Sequence, residues 1–222
     1  VAYDSRLNSD VFAEATALIF AANGIKAYLF SGLRPTPELS YAIRELKADT
    51  GVVVTASHNP RMYNGYKAYW NDGAQVIEPH DEGIIKEVNA VTEVKTISKE
   101  EALKNGSLQI IDKEIDEKFW AMCKAQLFRP ELIKEKASEV KVVYTPLHGT
   151  GNMPVRRVLA ELGFENVYVV KEQELPDGNF PTVSYPNPEA AEAFALGLKL
   201  AKEVDADLVL ANDPDADRLG VY

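Results

Sequence analysis

Cysteine is nearly missing from this chain. Cys123 is the only one in 222 residues, so no internal disulfide can form and a reducing compartment, the cytoplasm, is the expected setting. It lies in Lys118-Phe-Trp-Ala-Met-Cys-Lys-Ala-Gln126, a helix-like stretch where a thiol packs as a small apolar group. No apolar run approaches the roughly 18 residues that a membrane-crossing helix needs. The opening Val1-Ala-Tyr-Asp-Ser-Arg6 has neither the basic nor the apolar region of a secretory leader. Solenoid-length repeats and low-complexity tracts are absent. Cations are the scarcer charge: 24 Lys and Arg stand against 34 Asp and Glu, a net charge of -10, which argues against nucleic acid or an anionic membrane as the main partner. A phosphorylated ligand stays open, because a few placed cations or a metal ion can dominate a local site. The chain also lacks an initial Met, and both ends read as strand, so a piece of a longer protein is expected.

What is present alternates strand and helix. Residues 1–4 form a short apolar run, and Ser9 or Asp10 offers an N-cap to a helix over 11–23. There Val11, Phe12, Ala15, Leu18, Ile19 and Ala22 share one face, and Gly24 stands at the C′ position. A strand over 25–30 follows, then a helix from Pro37 with Leu39, Ala42, Ile43 and Leu46 inward. Residues 51–55 are almost continuously β-branched, the pattern of a strand buried on both faces. After a polar loop at 56–65 comes a strand over 66–70, with Asn71-Asp-Gly73 turning it into a hairpin with 74–77. Residues 80–136 are charged and helix-rich, with a weak strand at 108–111. The alternation then restarts with a strand at 140–144, a helix near 153–162, a strand at 166–170, a helix from Pro188 to about Val204 and a strand at 207–211. Two such runs predict two consecutive α/β domains with mixed, mainly parallel sheets flanked by helices, over 1–125 and 126–222. Ligands of such sheets bind beyond the carboxyl ends of strands, where three polar loops lie: 56–65, 145–151 and 212–218.

The first loop, Thr55-Ala-Ser-His-Asn-Pro60, sets Ser57 directly after a buried strand. A seryl hydroxyl is a weak nucleophile without a nearby base, and alone this loop reads as a turn. The glycines of a hydrolase elbow are lacking, and His58, adjacent in sequence, is a poor prospect as the base for Ser57. The last loop, Asn212-Asp-Pro-Asp-Ala-Asp-Arg218, changes the balance. Pro214 keeps Asp213 out of helix, and a spacing of two lets Asp213, Asp215 and Asp217 converge. Three converging carboxylates repel unless a cation joins them, and hard oxygen ligands select Mg²⁺ or Ca²⁺. Arg218 occupies the position where an EF-hand needs glycine, which disfavours that motif; a solvated acidic turn is the bland alternative. In Thr145-Pro-Leu-His-Gly-Thr-Gly151, small residues before a helix suit an approaching anion, or simply a tight turn. His80 matches no motif and is expected at the surface.

Taken together, Thr55-Ala-Ser-His-Asn-Pro60, Tyr63-Asn-Gly-Tyr-Lys67, Thr145-Pro-Leu-His-Gly-Thr-Gly151 and Asp213-Pro-Asp-Ala-Asp-Arg218 resemble the α-D-phosphohexomutase superfamily. Tyr3-Asp-Ser-Arg6 and Leu33-Arg-Pro-Thr-Pro37 look like its phosphoglucomutases, nearest the bacterial branch related to phosphopentomutases. The resemblance covers essentially the whole chain and implies domains I and II of a larger enzyme. On this resemblance a strand region before Tyr3 and C-terminal domains, which carry the sugar-selecting and distal-phosphate loops, are expected to lie outside this sequence. It implies that Ser57 is a phosphoserine sharing Mg²⁺ with Asp213, Asp215 and Asp217. It implies Lys67 as general acid or base, able to serve as the base if nearby cations lower its pKa, with Arg6 also catalytic. Arg218, His58 and His148 are implied at the substrate. The implied reaction interconverts glucose 1-phosphate and glucose 6-phosphate through a bisphosphate. Siblings acting on phosphomannose, phosphoglucosamine or phosphopentose, and a non-catalytic sugar-phosphate-binding relative, are the alternatives.

Overall fold

The computed structural model describes residues 1–222. The first half runs β1 (Ala2–Tyr3), α1 (Ser9–Ala22), β2 (Ala27–Phe30), α2 (Thr36–Leu46), β3 (Thr50–Val54), β4 (Tyr66–Trp70), α3 (His80–Ala90), α4 (Lys99–Asn105), β5 (Leu108–Ile111) and α5 (Lys113–Ala125). The second runs α6 (Pro130–Lys136), β6 (Lys141–Thr145), α7 (Asn152–Glu161), β7 (Asn166–Val169), α8 (Lys171–Glu174), a 3-10 turn at Ala191–Phe194, α9 (Ala195–Val204), β8 (Leu208–Asn212) and β9 (Leu219–Val221). β1 and β3 are parallel, β4 adds antiparallel to β3, and β2 pairs parallel with β5. Val1 stitches the two groups together, donating to Tyr28 O at 2.6 Å and accepting from Phe30 N at 3.1 Å. The second sheet has the order β7-β6-β8-β9, parallel except for β9. This is the expected pair of α/β units. No helix is long and apolar enough to cross a membrane.

Strand β3 shows why the first sheet is covered on both sides. Val53 enters one core with Phe30, Leu39, Ile43 and Ile115, beneath α2 and α5. Val52 and Val54 point the other way, into a core with Ala13, Ala17 and Leu29 beneath α1. Period-two alternation through a β-branched run therefore feeds two cores at once. In the second unit Val143, Val209 and Ala211 meet Phe194 under α9. Helix α5 serves both halves: Ile115 is in the first core, while Arg157 of α7 lies 5.5 Å from the centre of the Trp120 ring.

Several local readings change. The buried stripe of α1 is Ser9, Ala13, Ala17 and Ala21, whereas Val11 and Phe12 are about half exposed. Small side chains let the helix lie close to the sheet, and that closeness outweighs burial of the larger ones. The N-cap is Asn8, because the Ser9 hydroxyl is engaged by Asp4. Gly24 does close α1, with φ +78°. Residues 74–77 pair with β4 through a single bridge, so the Gly73 turn is present and a second hairpin strand is not. The helix expected from Pro188 begins as the 3-10 turn.

Under α2, Arg34 gathers acids. Its Nε and Nη2 donate to Asp116 at 2.7 and 2.8 Å, Nη2 also reaches Asp112 at 2.8 Å, and Glu38 Oε1 stands 3.9 Å from Nε. Glu38 is fully buried and neither of its oxygens has a partner. Burial and the Asp116 carboxylate, to which a protonated Glu38 can donate, push its pKa up to about 9. The folded protein thus holds a proton that the unfolded chain releases above its ordinary carboxylate pKa, so stability falls as pH rises through this window. Glu38→Gln is expected to flatten the pH dependence of thermal unfolding between about pH 5 and pH 9 and to raise the melting temperature at the alkaline end. Parallel melting-temperature profiles for the two proteins would contradict the assignment.

Candidate active site

The site grows from a buried aspartate. Asp4, just past β1, accepts from Arg6 N at 3.0 Å, Ser9 Oγ at 2.8 Å and Thr55 Oγ1 at 2.6 Å. Thr55 Oγ1 in turn accepts from Ser57 N at 2.8 Å. Arg6, almost wholly buried, donates from Nη1 to Pro60 O and Tyr63 O, and from Nη2 to Ser57 O and Asn59 O. Its four Nη protons all hold carbonyls of the serine loop, and Phe180 covers the guanidinium at 5.1 Å. Arg6 is therefore a clamp on the loop and has no Nη donor left for a ligand.

The clamp holds Ser57 with φ +52°, a left-handed turn that folds its side chain beside that of the next residue. Ser57 Oγ lies 3.1 Å from His58 Nδ1 and donates to Asp213 Oδ2 at 2.9 Å. Adjacency in sequence thus does not keep His58 from Ser57; the turn brings them together. Burial and the charge of Arg218 lower the pKa of His58, favouring neutral imidazole. Its ring meets Tyr185 edge-on at 5.4 Å.

Asp213 arrives from the other domain, 156 positions along the chain. Oxygen atoms of Asp213, Asp215 and Asp217 lie within 4.8 Å of one another, with Asp213 and Asp215 fully buried. Burial, together with the charges of Asp215 and Asp217, pushes Asp213 up to about 8. Burial would raise Asp215 as well, but Lys67 and the Thr36 hydroxyl outweigh it and hold its pKa low. Thr36 Oγ1 and Lys67 Nζ reach Asp215 Oδ2 at 2.8 and 3.0 Å, while Oδ1 is buried without a partner. A cluster of crowded carboxylates with one oxygen left bare suits a hard cation.

Lys67 sits on β4, opposite Val53, because β4 starts close against the serine loop. A Cβ on Gly65 would lie 2.5 Å from Thr55 O. Its neighbours are carboxylates, with Asp217 Oδ2 at 3.5 Å, and not the cations expected to lower its pKa. Burial alone would lower it, yet Asp215 and Asp217 prevail and raise it above the ordinary lysine value.

The loop at 145–151 does different work from cradling an anion. A Cβ on Gly149 would lie 2.5 Å from Pro214 Cα, and Thr150 gives Pro214 O both its N–H, at 2.8 Å, and its hydroxyl, at 3.0 Å. Its small residues let it brace the aspartate loop. His148 is buried, with Nδ1 3.1 Å from Leu175 O and Nε2 2.9 Å from Thr182 Oγ1. Both ring nitrogens are engaged within the fold, so His148 is not presented to a ligand. Arg218 stands partly exposed beside the cluster, its Nη1 on Glu189 at 2.8 Å and its backbone N–H on Asp213 at 3.0 Å.

Residues 1–95 match a family model described as phosphoglucomutase/phosphomannomutase, alpha/beta/alpha domain I, and residues 117–222 match the model for domain II. A "Probable phosphomannomutase" of Haemophilus influenzae is 41% identical, over 100% of this chain and 44% of that protein. A phosphoglucomutase of Staphylococcus saprophyticus is 38% identical, over 98% of this chain and 39% of its own length. The crystal structure of a phosphoglucomutase/phosphomannomutase family protein from Burkholderia thailandensis superposes with a TM-score of 0.74 at 28% identity, covering 100% of this chain and 45% of that one. The chain spans less than half the length of the curated relatives it matches.

A cation entering the cluster has to displace the proton that Asp213 retains below about pH 8. Mg²⁺ or Mn²⁺ affinity is therefore expected to rise from pH 6 to pH 8 by about tenfold per proton released and pH unit, levelling off above. Calorimetry in buffers of different ionisation enthalpy measures this, and Asp213→Asn should remove the proton release. Affinity independent of pH would refute the account.

Proposed function

Because the chain belongs to the phosphoglucomutase/phosphomannomutase family, we propose that it is the phosphoryl-carrying half of a mutase interconverting glucose 1-phosphate and glucose 6-phosphate. One observation carries the reading: Ser57 Oγ lies where a clamped loop of one domain meets the acid cluster of the other, 2.9 Å from Asp213. In this reading Ser57 is the phosphate carrier. Asp213, Asp215 and Asp217, with an oxygen of the phosphorylated serine, would hold Mg²⁺, which when bound neutralises charge on the carboxylates and the phosphoryl group.

The chain's own residues then do the following. A free hydroxyl of the sugar monophosphate attacks phosphorus on Ser57 and the P–Oγ bond breaks, leaving a bisphosphorylated sugar. Departing Ser57 Oγ is received beside His58, whose Nδ1 it already touches and which is able to supply or hold its proton, Asp213 having lost its own on binding the cation. Lys67 takes the sugar hydroxyl's proton only once its hold on Asp215 and Asp217 is loosened, since those carboxylates keep it charged. Arg218 and His58 stand at the edge where an anionic substrate would enter. After the bisphosphate turns over, its other phosphate returns to Ser57 and the isomeric monophosphate leaves. Arg6 contributes by fixing the loop, which matters because phosphoryl transfer depends chiefly on positioning and charge stabilisation.

The name of the Haemophilus relative supports mannose phosphates as a second substrate class handled by the same residues. The reaction's other partner in this proposal is the remainder of a longer chain, which supplies the contacts to the sugar and its distal phosphate. The proposed setting is the cytoplasm, consistent with the single cysteine.

Incubated with glucose 1,6-bisphosphate and Mg²⁺, the chain is expected to gain one phosphate by intact mass, and Ser57→Ala to gain none. A coupled glucose 6-phosphate assay is expected to give little or no turnover from this chain alone. Phosphate on another residue would refute the carrier assignment, and turnover matching a full-length mutase would refute the need for further domains.

A further inference from the structure

Thr36 opens α2, and its hydroxyl serves no helix-capping role: the N-cap is Pro35, and the hydroxyl leaves the domain altogether. It donates to Asp215 Oδ2 at 2.8 Å, across 179 positions of sequence, and its backbone N–H donates to Asp215 O at 2.9 Å. Thr36 and Asp215 are both buried. Its mount is stiff. Pro35 fixes the backbone before it, Arg34 N donates to Tyr3 O at 3.1 Å, and the Arg34 guanidinium is locked onto Asp116 and Asp112. The other donor to Asp215 Oδ2 is Lys67, from a different strand of the same domain. Both donors fall on Oδ2, and Oδ1 is buried without a partner.

Resting on the reading that the three aspartates hold a cation, we propose that Thr36 is a positioning residue that orients Asp215 for metal ligation from the opposite domain. Lys67 pulls on Oδ2 as well, but as a mobile point charge it does not fix the carboxylate's plane, whereas a hydroxyl on a rigid backbone does. The backbone bond from Thr36 N to Asp215 O ties the two domains together independently, so removing the hydroxyl leaves that tie in place.

The test compares Thr36→Val, which keeps the shape and loses the donor, with Thr36→Ser, which keeps the donor. Mn²⁺ is the probe, followed by calorimetry and by the electron paramagnetic resonance of the bound ion, with Asp213→Asn as the site control and thermal unfolding to verify the fold. Thr36→Val is expected to bind Mn²⁺ about ten- to a hundredfold more weakly and with an altered zero-field splitting, and Thr36→Ser to stay near the parent. Should the valine variant not fold, Thr36→Ala gives the same readout without added bulk. Parent-like affinity and spectrum in the donor-less variant overturn the positioning role and leave the metal reading intact. A parent chain that binds no Mn²⁺, or binds it equally well as Asp213→Asn, overturns both.

Discussion

Two buried carboxylates, Asp213 and Asp215, with a third beside them, are the constraint on which the rest of this structure turns. Taking such charges out of water is costly, and the cost is met only by protons, donors or cations brought from elsewhere. The surroundings answer with all three. Asp213 retains a proton more readily than an ordinary carboxyl, Asp215 accepts from Thr36 and Lys67, and the Ser57 hydroxyl and Arg218 N–H point at Asp213. Three of these donors come from the first domain or its serine loop, so the electrostatics of one loop decide how the two domains meet.

Within each domain, the loops that carry these groups are held close by small residues. Gly149 lets Thr150 press against Pro214, and Gly65 lets β4 start against Thr55. In both places a methyl group would collide with backbone, which cannot move aside as a side chain does. The bracing explains how an acidic loop with so little local secondary structure holds three side chains in register.

Much of this was legible in the sequence wherever the signal was local. The valine run of β3 announced a doubly covered strand because period-two alternation acts within a few residues. The spacing of Asp213, Asp215 and Asp217 announced convergence for the same reason. Ser57 was readable only in company with them. Other features left ambiguous marks. The glycines after β6 serve packing, yet glycines that admit an anion look identical; His148, placed at the substrate by the family resemblance, has both its nitrogens engaged inside. On α1 the larger apolar residues suggested the inner face, while the fit to the sheet selected the alanines. Thr36 stood within Leu33-Arg-Pro-Thr-Pro37, a segment of the family resemblance, but with no role, since its partner lies in another domain and nothing near it in sequence hints at a carboxylate.

The grip of Arg6 on the serine loop bears on the phosphate-carrier role proposed for Ser57. Four carbonyls pinned by one buried guanidinium define the loop through its main chain, with no recourse to what the Ser57 side chain carries. In the proposed carrier role of Ser57, loading and unloading that side chain would need little reorganisation of the scaffold, and the two forms would differ mainly in the group itself. A carrier emptied and refilled in every cycle benefits from such indifference: a tether that relaxed when bare would have to be re-formed before each return.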